Sequence, residues 1–431
     1  MLALLLAVQA AVSPAPTDSL PRVTLREALQ RSAQLDPNYV AALGQVDNAV
    51  WARRNAFAAF ILPAVTVSVT AQRSNPLGFL FAGDTFFVVK TTWQGQLSAR
   101  YDLFTGGQKF AELSRSAAAL AGAHADELRQ RFATALLTES DYYAVLQNAE
   151  LDRVARERLR RAREQFSVAR ARVLSGAAVS TDSLNLRLEF TRAQVAQIQQ
   201  ESALQIARLE LGRRVGAAGP VDATPLDTIG ARELPLSLAE AISQAASQGP
   251  EYRSAAASER AASAAYRAEL GNFLPHASLT FNAFSFDTAF FPSLRNQTSF
   301  TLGVSLPIWN GGQRELAVSR ARANKDVARA RREDLDRAVQ HDVSAAYDAY
   351  VTARATAELA TEGLLVARES FRVQQTRYQS GATTILDLLT AEVSLSQAEA
   401  DLVQARYGTR LALAGLESIL GKRLFTDKEP P

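Results

Sequence analysis

The chain has 431 residues, 47% of them hydrophobic and 21% charged, with a formal net charge of +3. That length holds one large or two ordinary domains, the apolar fraction excludes a wholly disordered chain, and a charge balanced along the sequence leaves no footprint for nucleic acid. With no cysteine and only three scattered histidines (His124, His276, His341), disulfide frameworks, thiolate metal sites and cysteine nucleophiles are excluded, no metal or other cofactor is implied, and an enzyme would be poorly equipped.

Leu2 to Val12 form an apolar run of signal-peptide length, too short to span a bilayer. Val8-Gln9-Ala10 and Ser13-Pro14-Ala15 are the two candidate processing sites. Residues 1–16 are therefore read as a signal peptide, which places the mature chain beyond the cytoplasmic membrane.

The remainder is written twice. Val23-Thr-Leu-Arg-Glu-Ala-Leu29 resembles Leu236-Ser-Leu-Ala-Glu-Ala-Ile242, and both carry the capping-box spacing of a helix start (Thr24/Glu27, Ser237/Glu240). Asp36-Pro37-Asn38-Tyr39 matches Gly249-Pro250-Glu251-Tyr252, where a proline opens each next helix. Phe60-Ile-Leu-Pro63 matches Phe273-Leu-Pro275, where each should stop. Leu103-Phe-Thr-Gly-Gly-Gln108 matches Ile308-Trp-Asn-Gly-Gly-Gln313, and Ser175-Gly176 with Asp182 matches Ser380-Gly381 with Asp387. The offset is 213 at the start (Val23 to Leu236) and 205 later (Leu103 to Ile308), the difference falling in an irregular stretch near Asn75 to Val88. The first repeat is placed at 17–220, a linker at 221–235, the second repeat at 236–424 and a tail at 425–431.

Each repeat reads as short helix, helix, strand, loop, strand, very long helix, tight turn and return helix. The helical hairpins are expected over about 106–212 and 311–420. Their proline-free first arms, near Gly106 to Val173 and Gly311 to Gln379, would each be roughly 100 Å long and would need coiled-coil neighbours. Phe110, Leu113, Ala117 and Leu120 form one candidate seam; Leu335, Val339, Val343, Ala346 and Tyr350 form another. Strands of alternating polarity are expected at about 64–73, 91–104, 276–286 and 297–308. Their length and alternation are those of outer-membrane barrel strands, with Phe79, Phe81, Phe86, Phe87, Phe290 and Phe291 at the loop ends where an aromatic belt would lie. Four strands cannot close a barrel, so either they form an ordinary soluble sheet or several chains share one barrel. The loops near Asn75 to Thr85 and Asp287 to Arg295 would then lie outside the cell. Gly106-Gly107 and Gly311-Gly312 lack the following Lys-Ser/Thr of a phosphate loop and are read as strand-to-helix turns.

On the duplication, the paired Phe-(Ile)-Leu-Pro elements, the Gly-Gly-Gln helix starts and Tyr378-Gln-Ser-Gly381-Ala-Thr-Thr-Ile-Leu-Asp387-Leu-Leu, the chain from about Val23 to Leu424 resembles the TolC-like outer-membrane efflux proteins. The resemblance implies a mainly α fold with a membrane β-barrel: a homotrimer in which four strands per chain make a twelve-stranded barrel in outer-membrane lipid, continued by a long antiparallel coiled-coil α-barrel across the periplasm. It implies a channel of a tripartite efflux or type I secretion system, working with a periplasmic adaptor and an inner-membrane pump and catalysing nothing itself. By the same resemblance Asp182, Tyr378 and Asp387 stand at the periplasmic entrance or gate, and Ser175, Gly176, Ser380 and Gly381 at the tips that contact the adaptor. Thr383 and Thr390 depart from the arginine and the second acidic residue that some members have there. Asp182 and Asp387 also sit in the first turn of a return helix, where a carboxylate meets the helix dipole, and the two roles can coexist. The alternative class is a periplasmic adaptor or structural coiled-coil protein of an export complex, but the two hairpins and four barrel-like strands favour the channel.

Overall fold

A computed structural model describes residues 20–82, 85–176, 179–225, 232–287 and 295–425; the signal-peptide reading falls outside these residues. In chain order the elements are β1 (Arg22–Val23), α1 (Leu25–Leu35), α2 (Pro37–Ile61), β2 (Ala64–Ala82), β3 (Thr85–Thr105), α3 (Gln108–Leu174), α4 (Ser180–Arg214), β4 (Asp222–Ala223), α5 (Leu238–Gln248), α6 (Pro250–Gly271), β5 (His276–Asp287), β6 (Arg295–Ser305), α7 (Gln313–Gln379) and α8 (Ile385–Leu420). None of the described helices is long and apolar enough to cross a membrane.

Local chemistry sets the helix ends. Thr24 accepts from the Glu27 amide, Asp36 caps α2 ahead of Pro37, and Ser237 with Glu240 forms a reciprocal capping box. α3 and α7 have 67 residues each, about 100 Å at 1.5 Å per residue. Near the sheet the helices run side by side in the order α2, α3, α6, α7; toward the far end α4, α3, α8 and α7 do so.

The seam between α3 and α6 is built from small residues. Ala111, Ala118 and Ala125 on α3 and Ala257, Ala264 and Gly271 on α6 recur every seven residues and are buried. The backbones come so close that a Cβ on Gly106 would lie 2.2 Å from the Gly271 carbonyl oxygen. The expected seam through Phe110, Leu113, Ala117 and Leu120 is therefore displaced: Phe110 is 68% exposed and its neighbour Ala111 is buried. Close packing selects the smallest side chain, not the most hydrophobic. In the second repeat Val339, Val343 and Tyr350 are buried, with Leu335 and Ala346 packed beside them.

The four long strands form one antiparallel sheet in the order β2-β3-β5-β6, joined across the repeats by β3 and β5. Its register lines up Val65, Ala99, Phe281 and Phe300 in one cross-strand row and Thr66, Ser98, Asn282 and Ser299 in the next, so one face is apolar and the other polar. Two features differ from the sequence reading. The first hairpin does not open into a loop after residue 73: β2 and β3 remain paired through Phe81 and Phe86, past a register shift between Arg73 and Gly78. Pro76, which has no amide to donate, lies within that shift, and a phenylalanine- and valine-rich run resumes the pairing beyond it. Phe284 and Phe286, stacked with centroids 5.8 Å apart, stand on the polar face because the apolar parity switches after Ala283. Phe290 and Phe291 lie outside the described residues, as does most of the loop expected at Asp287 to Arg295.

Charges are buried between the helices at defined levels. Arg423 joins the buried carboxylates Glu139 of α3 and Glu417 of α8. Further along, Arg158 donates to Glu189 (Nε to Oε1, 3.1 Å), while Arg161 lies 3.6 Å from Glu392 and 3.3 Å from Glu399. Glu392 is fully buried. Burial raises its carboxyl pKa above the ordinary value, a rise opposed by Arg161 and Gln165 and reinforced by Glu189. A raised folded-state pKa favours the protonated form, so stability present at acid pH is lost as pH climbs from the ordinary carboxylate range through the raised value. Glu392→Gln removes this titration and is expected to flatten that slope. Thermal melts of both proteins from about pH 4 to about pH 8 check this; parallel slopes would refute it.

Candidate functional site at the helix-turn tips

The two hairpin turns are built alike. Ser175 and Ser380 end α3 and α7, and each hydroxyl donates to the carbonyl three residues earlier, Arg172 or Arg377, at 3.0 Å. Gly176 and Gly381 follow with φ of 78° and 76°. In the second turn the Gly381 amide donates to the Tyr378 carbonyl (3.2 Å) and the Ala382 amide to that of Arg377 (2.8 Å), the paired bonds of a Schellman motif. Each tip lies one 67-residue helix away from its strand-to-helix turn.

The two acidic residues meet different surroundings. Thr384 caps α8, accepting from the Asp387 amide at 3.3 Å, while its own amide donates to Asp387 Oδ2 at 3.2 Å. The hydroxyls of Thr384 and Thr383 donate to the same oxygen at 2.7 and 2.9 Å. Thr383 thus helps to hold this carboxylate. These bonds, the Thr384 hydroxyl first, and the nearby Arg377 hold the Asp387 carboxyl below the usual carboxylate range. Asp387 is exposed. Thr390 bonds its own helix at the Leu386 carbonyl, 2.9 Å away. Asp182 has no such box: Val179 caps α4 without a side-chain bond, and the Asp182 amide donates to the Val179 carbonyl at 3.1 Å.

Tyr378 is half-buried at the end of α7, and burial followed by the negative field of Asp182 raises its phenol pKa; Arg172 opposes the rise. The structure therefore groups Asp182 and Tyr378 across the two hairpins, with Asp387 set in the cap of α8. It adds a residue that the sequence did not single out. Arg172, in the last turn of α3, reaches the second hairpin: Nη2 donates to the Gln379 carbonyl at 2.9 Å and Nη1 to that of Tyr378 at 3.4 Å. Its guanidinium also lies 5.7 Å from the centroid of the Tyr378 ring. The only local signal was its repeat position, 205 residues before Arg377. Among the described residues no group of carboxylates and histidines is arranged to hold a metal.

Comparison with known proteins gives this geometry its family. The model for outer membrane efflux proteins matches residues 24–217 and 241–422, one segment for each repeat. The chain belongs to the outer membrane efflux protein family. It is similar to the outer membrane efflux protein BepC of Brucella suis, 26% identical over 65% of this chain; the match spans 61% of BepC, under two thirds of that protein. Protein CyaE of Bordetella pertussis is 26% identical over 97% of this chain and 88% of its own length. The fold matches that of the CmeC outer membrane channel of Campylobacter jejuni, with a TM-score of 0.78 and 14% identity over 94% of this chain and 87% of that one. The family places the protein in the outer membrane, and the solved structure that shares its fold is a channel.

A side chain at Gly381 would force a non-glycine residue into left-handed backbone at the turn. Gly381→Ala should cost roughly 1–2 kcal/mol locally, read as faster hydrogen exchange of the Ser380 to Leu388 amides with the α3–α6 seam unaffected.

Proposed function

We propose that three copies assemble into an export duct of a tripartite efflux or type I secretion system. Cargo enters from an inner-membrane pump through a periplasmic adaptor docked on the Ser175-Gly176 and Ser380-Gly381 tips, and leaves through a shared barrel. The observation that carries this reading is the sheet: apolar on one face, with β2 and β6 as edges free of any partner strand among the described residues. Unpaired edges inside hydrocarbon are prohibitive, and three four-stranded sheets pairing edge to edge would make a closed barrel of twelve strands. The outermost helices lend support. Leu184, Leu188, Val195 and Ile198 of α4 and Leu359, Leu365 and Val366 of α7 are exposed large apolar residues on elements at the two ends of the helical row. A neighbouring copy would cover both.

Asp182, Tyr378 and Asp387 are assigned to the periplasmic entrance. Threefold symmetry would bring three exposed, ionised Asp387 carboxylates together at the narrow end. The capping role of Asp387 does not compete with this, since the hydrogen bonds keep the carboxylate charged and fixed.

Cross-linking in detergent extracts should trap a trimer, whereas a soluble monomer would end the channel reading. Leu302, 65% exposed on the apolar face, should not tolerate charge: Leu302→Arg is expected to lower barrel stability by about 2–4 kcal/mol per chain if it sits near the bilayer midplane. Thr301→Arg, on the opposite face, should assemble normally. Equal tolerance would overturn the face assignment.

Asp387→Asn keeps an oxygen for the cap and removes the charge. In planar bilayers its cation preference should fall well below that of the unsubstituted channel, while tip stability changes little. Unchanged selectivity would reduce Asp387 to a helix-terminus residue.

A further inference from the structure

The two tips share sequence, turn geometry and even the serine bond to the carbonyl three residues back, yet their arginines do different things. Arg377 folds onto its own turn, with Nη2 3.3 Å from the Ala382 carbonyl. Arg172, at the equivalent place in the first repeat, leaves its own turn and crosses to the second hairpin, where it meets the Tyr378 and Gln379 carbonyls. Those carbonyls lie at the end of a 67-residue helix, where that of Tyr378 also accepts from the Gly381 amide and the helix dipole favours a cation. Arg172 is half-buried between the hairpins, which are also joined by packing of α3 on α8.

We propose that Arg172 is the positioning residue that holds the two hairpins of one chain together in the closed tip, and that Arg377 makes the equivalent contact to the first hairpin of a neighbouring copy. The repeat relation gives the second half its geometry. An offset of 205 residues maps Arg172 onto Arg377, and maps the Tyr378 and Gln379 carbonyls onto those of Val173 and Leu174. In a ring of alternating first and second hairpins, the terminal carbonyls of the next first hairpin stand to Arg377 as those of the second hairpin stand to Arg172. Arg377 would exchange its 3.3 Å bond within its own turn for two on the neighbour. Six arginine-to-helix-terminus links would then close the ring. The proposal rests on the reading of the tips as the closed entrance of a trimer; the acceptors are main-chain oxygens, and the Tyr378 ring lies beside the guanidinium.

The purified full-length channel is tested in planar bilayers without partner proteins. Arg172→Ala and Arg377→Ala should each raise the open-channel population roughly two- to fivefold, the scale for a half-exposed cation at a helix C-terminus, and the double variant should open further. Arg172→Lys should restore part of the closure, and Tyr378→Phe should open the channel less than Arg172→Ala does. Trimer melting temperature, read in parallel, should stay unchanged. Because the chain has no cysteine, Ser175→Cys with Ser380→Cys gives a unique thiol pair, and bridging it with a bifunctional maleimide should shut the channel even in the Arg172→Ala background. Shutting on bridging with no opening by Arg172→Ala would overturn the proposal and leave the tips as the gate. No shutting on bridging would overturn the gate reading itself. A fall in melting temperature without a rise in conductance would make Arg172 a packing residue only, and opening by Tyr378→Phe equal to that of Arg172→Ala would return the latch to the hydroxyl.

Discussion

A helix of 67 residues must be supported along its whole length by neighbours, because no globular core reaches that far and helix propensity alone gives little margin. Here the support nearest the sheet is backbone proximity. Alanine or glycine every seven residues on α3 and α6 brings the two backbones together, with Gly106 and Gly271 in contact where the strands become helices. The contact fixes where the sheet begins relative to the helices. Large apolar residues remain exposed in a single chain on the outermost helices of the row, among them Leu184 and Ile198 of α4 and Leu359 and Leu365 of α7.

The parts of this arrangement legible in the sequence are those whose chemistry is local. The capping box at Ser237/Glu240, the Thr24 cap on the Glu27 amide, prolines at the helix starts and positive-φ glycines at the turns each involve residues within about one turn of each other. Their repetition at nearly constant offset disclosed the duplication. The seam of α3 was misplaced by one residue because hydrophobicity ranks Phe110 above Ala111, while the controlling variable is how near α6 can come, a distance with no local signature. The strands of the first hairpin ran on past residue 73 because a proline inside a register shift looks, in sequence, like the end of a strand. Arg172 was passed over for a related reason: its acceptors are main-chain oxygens 206 and 207 residues away, and any residue type would supply those.

The buried charges between the helices answer a question that the small-residue seam leaves open. Repeats of seven residues are degenerate, so a helix could slide by one heptad and meet alanines again. Arg158 with Glu189, Arg161 with Glu392 and Glu399, and Arg423 with Glu139 and Glu417 each join different helices at one level. Their net stabilisation is small because desolvation offsets attraction, yet breaking one leaves a charge buried without its partner, which costs several kcal/mol. Sliding α8 by a heptad would do this to Glu392. The alanines thus set the distance between helices and the ion pairs set their register.

Register in turn decides what the tips can do. The hairpins leave the sheet about 100 Å from their turns, and an error of one residue in pairing would move a turn by about 1.5 Å along the axis and rotate it by about 100°. The bond from Arg172 to the Gln379 carbonyl, at 2.9 Å, tolerates neither. One half-buried arginine contact does not set the register of the helices that bear it. It holds together tips that are already in register, and it can be released without disturbing the seam above. A gate at the far end of a stiff wall needs that separation: the elements that define the structure lie near the membrane, and those that hold the tip are single side chains on helix termini.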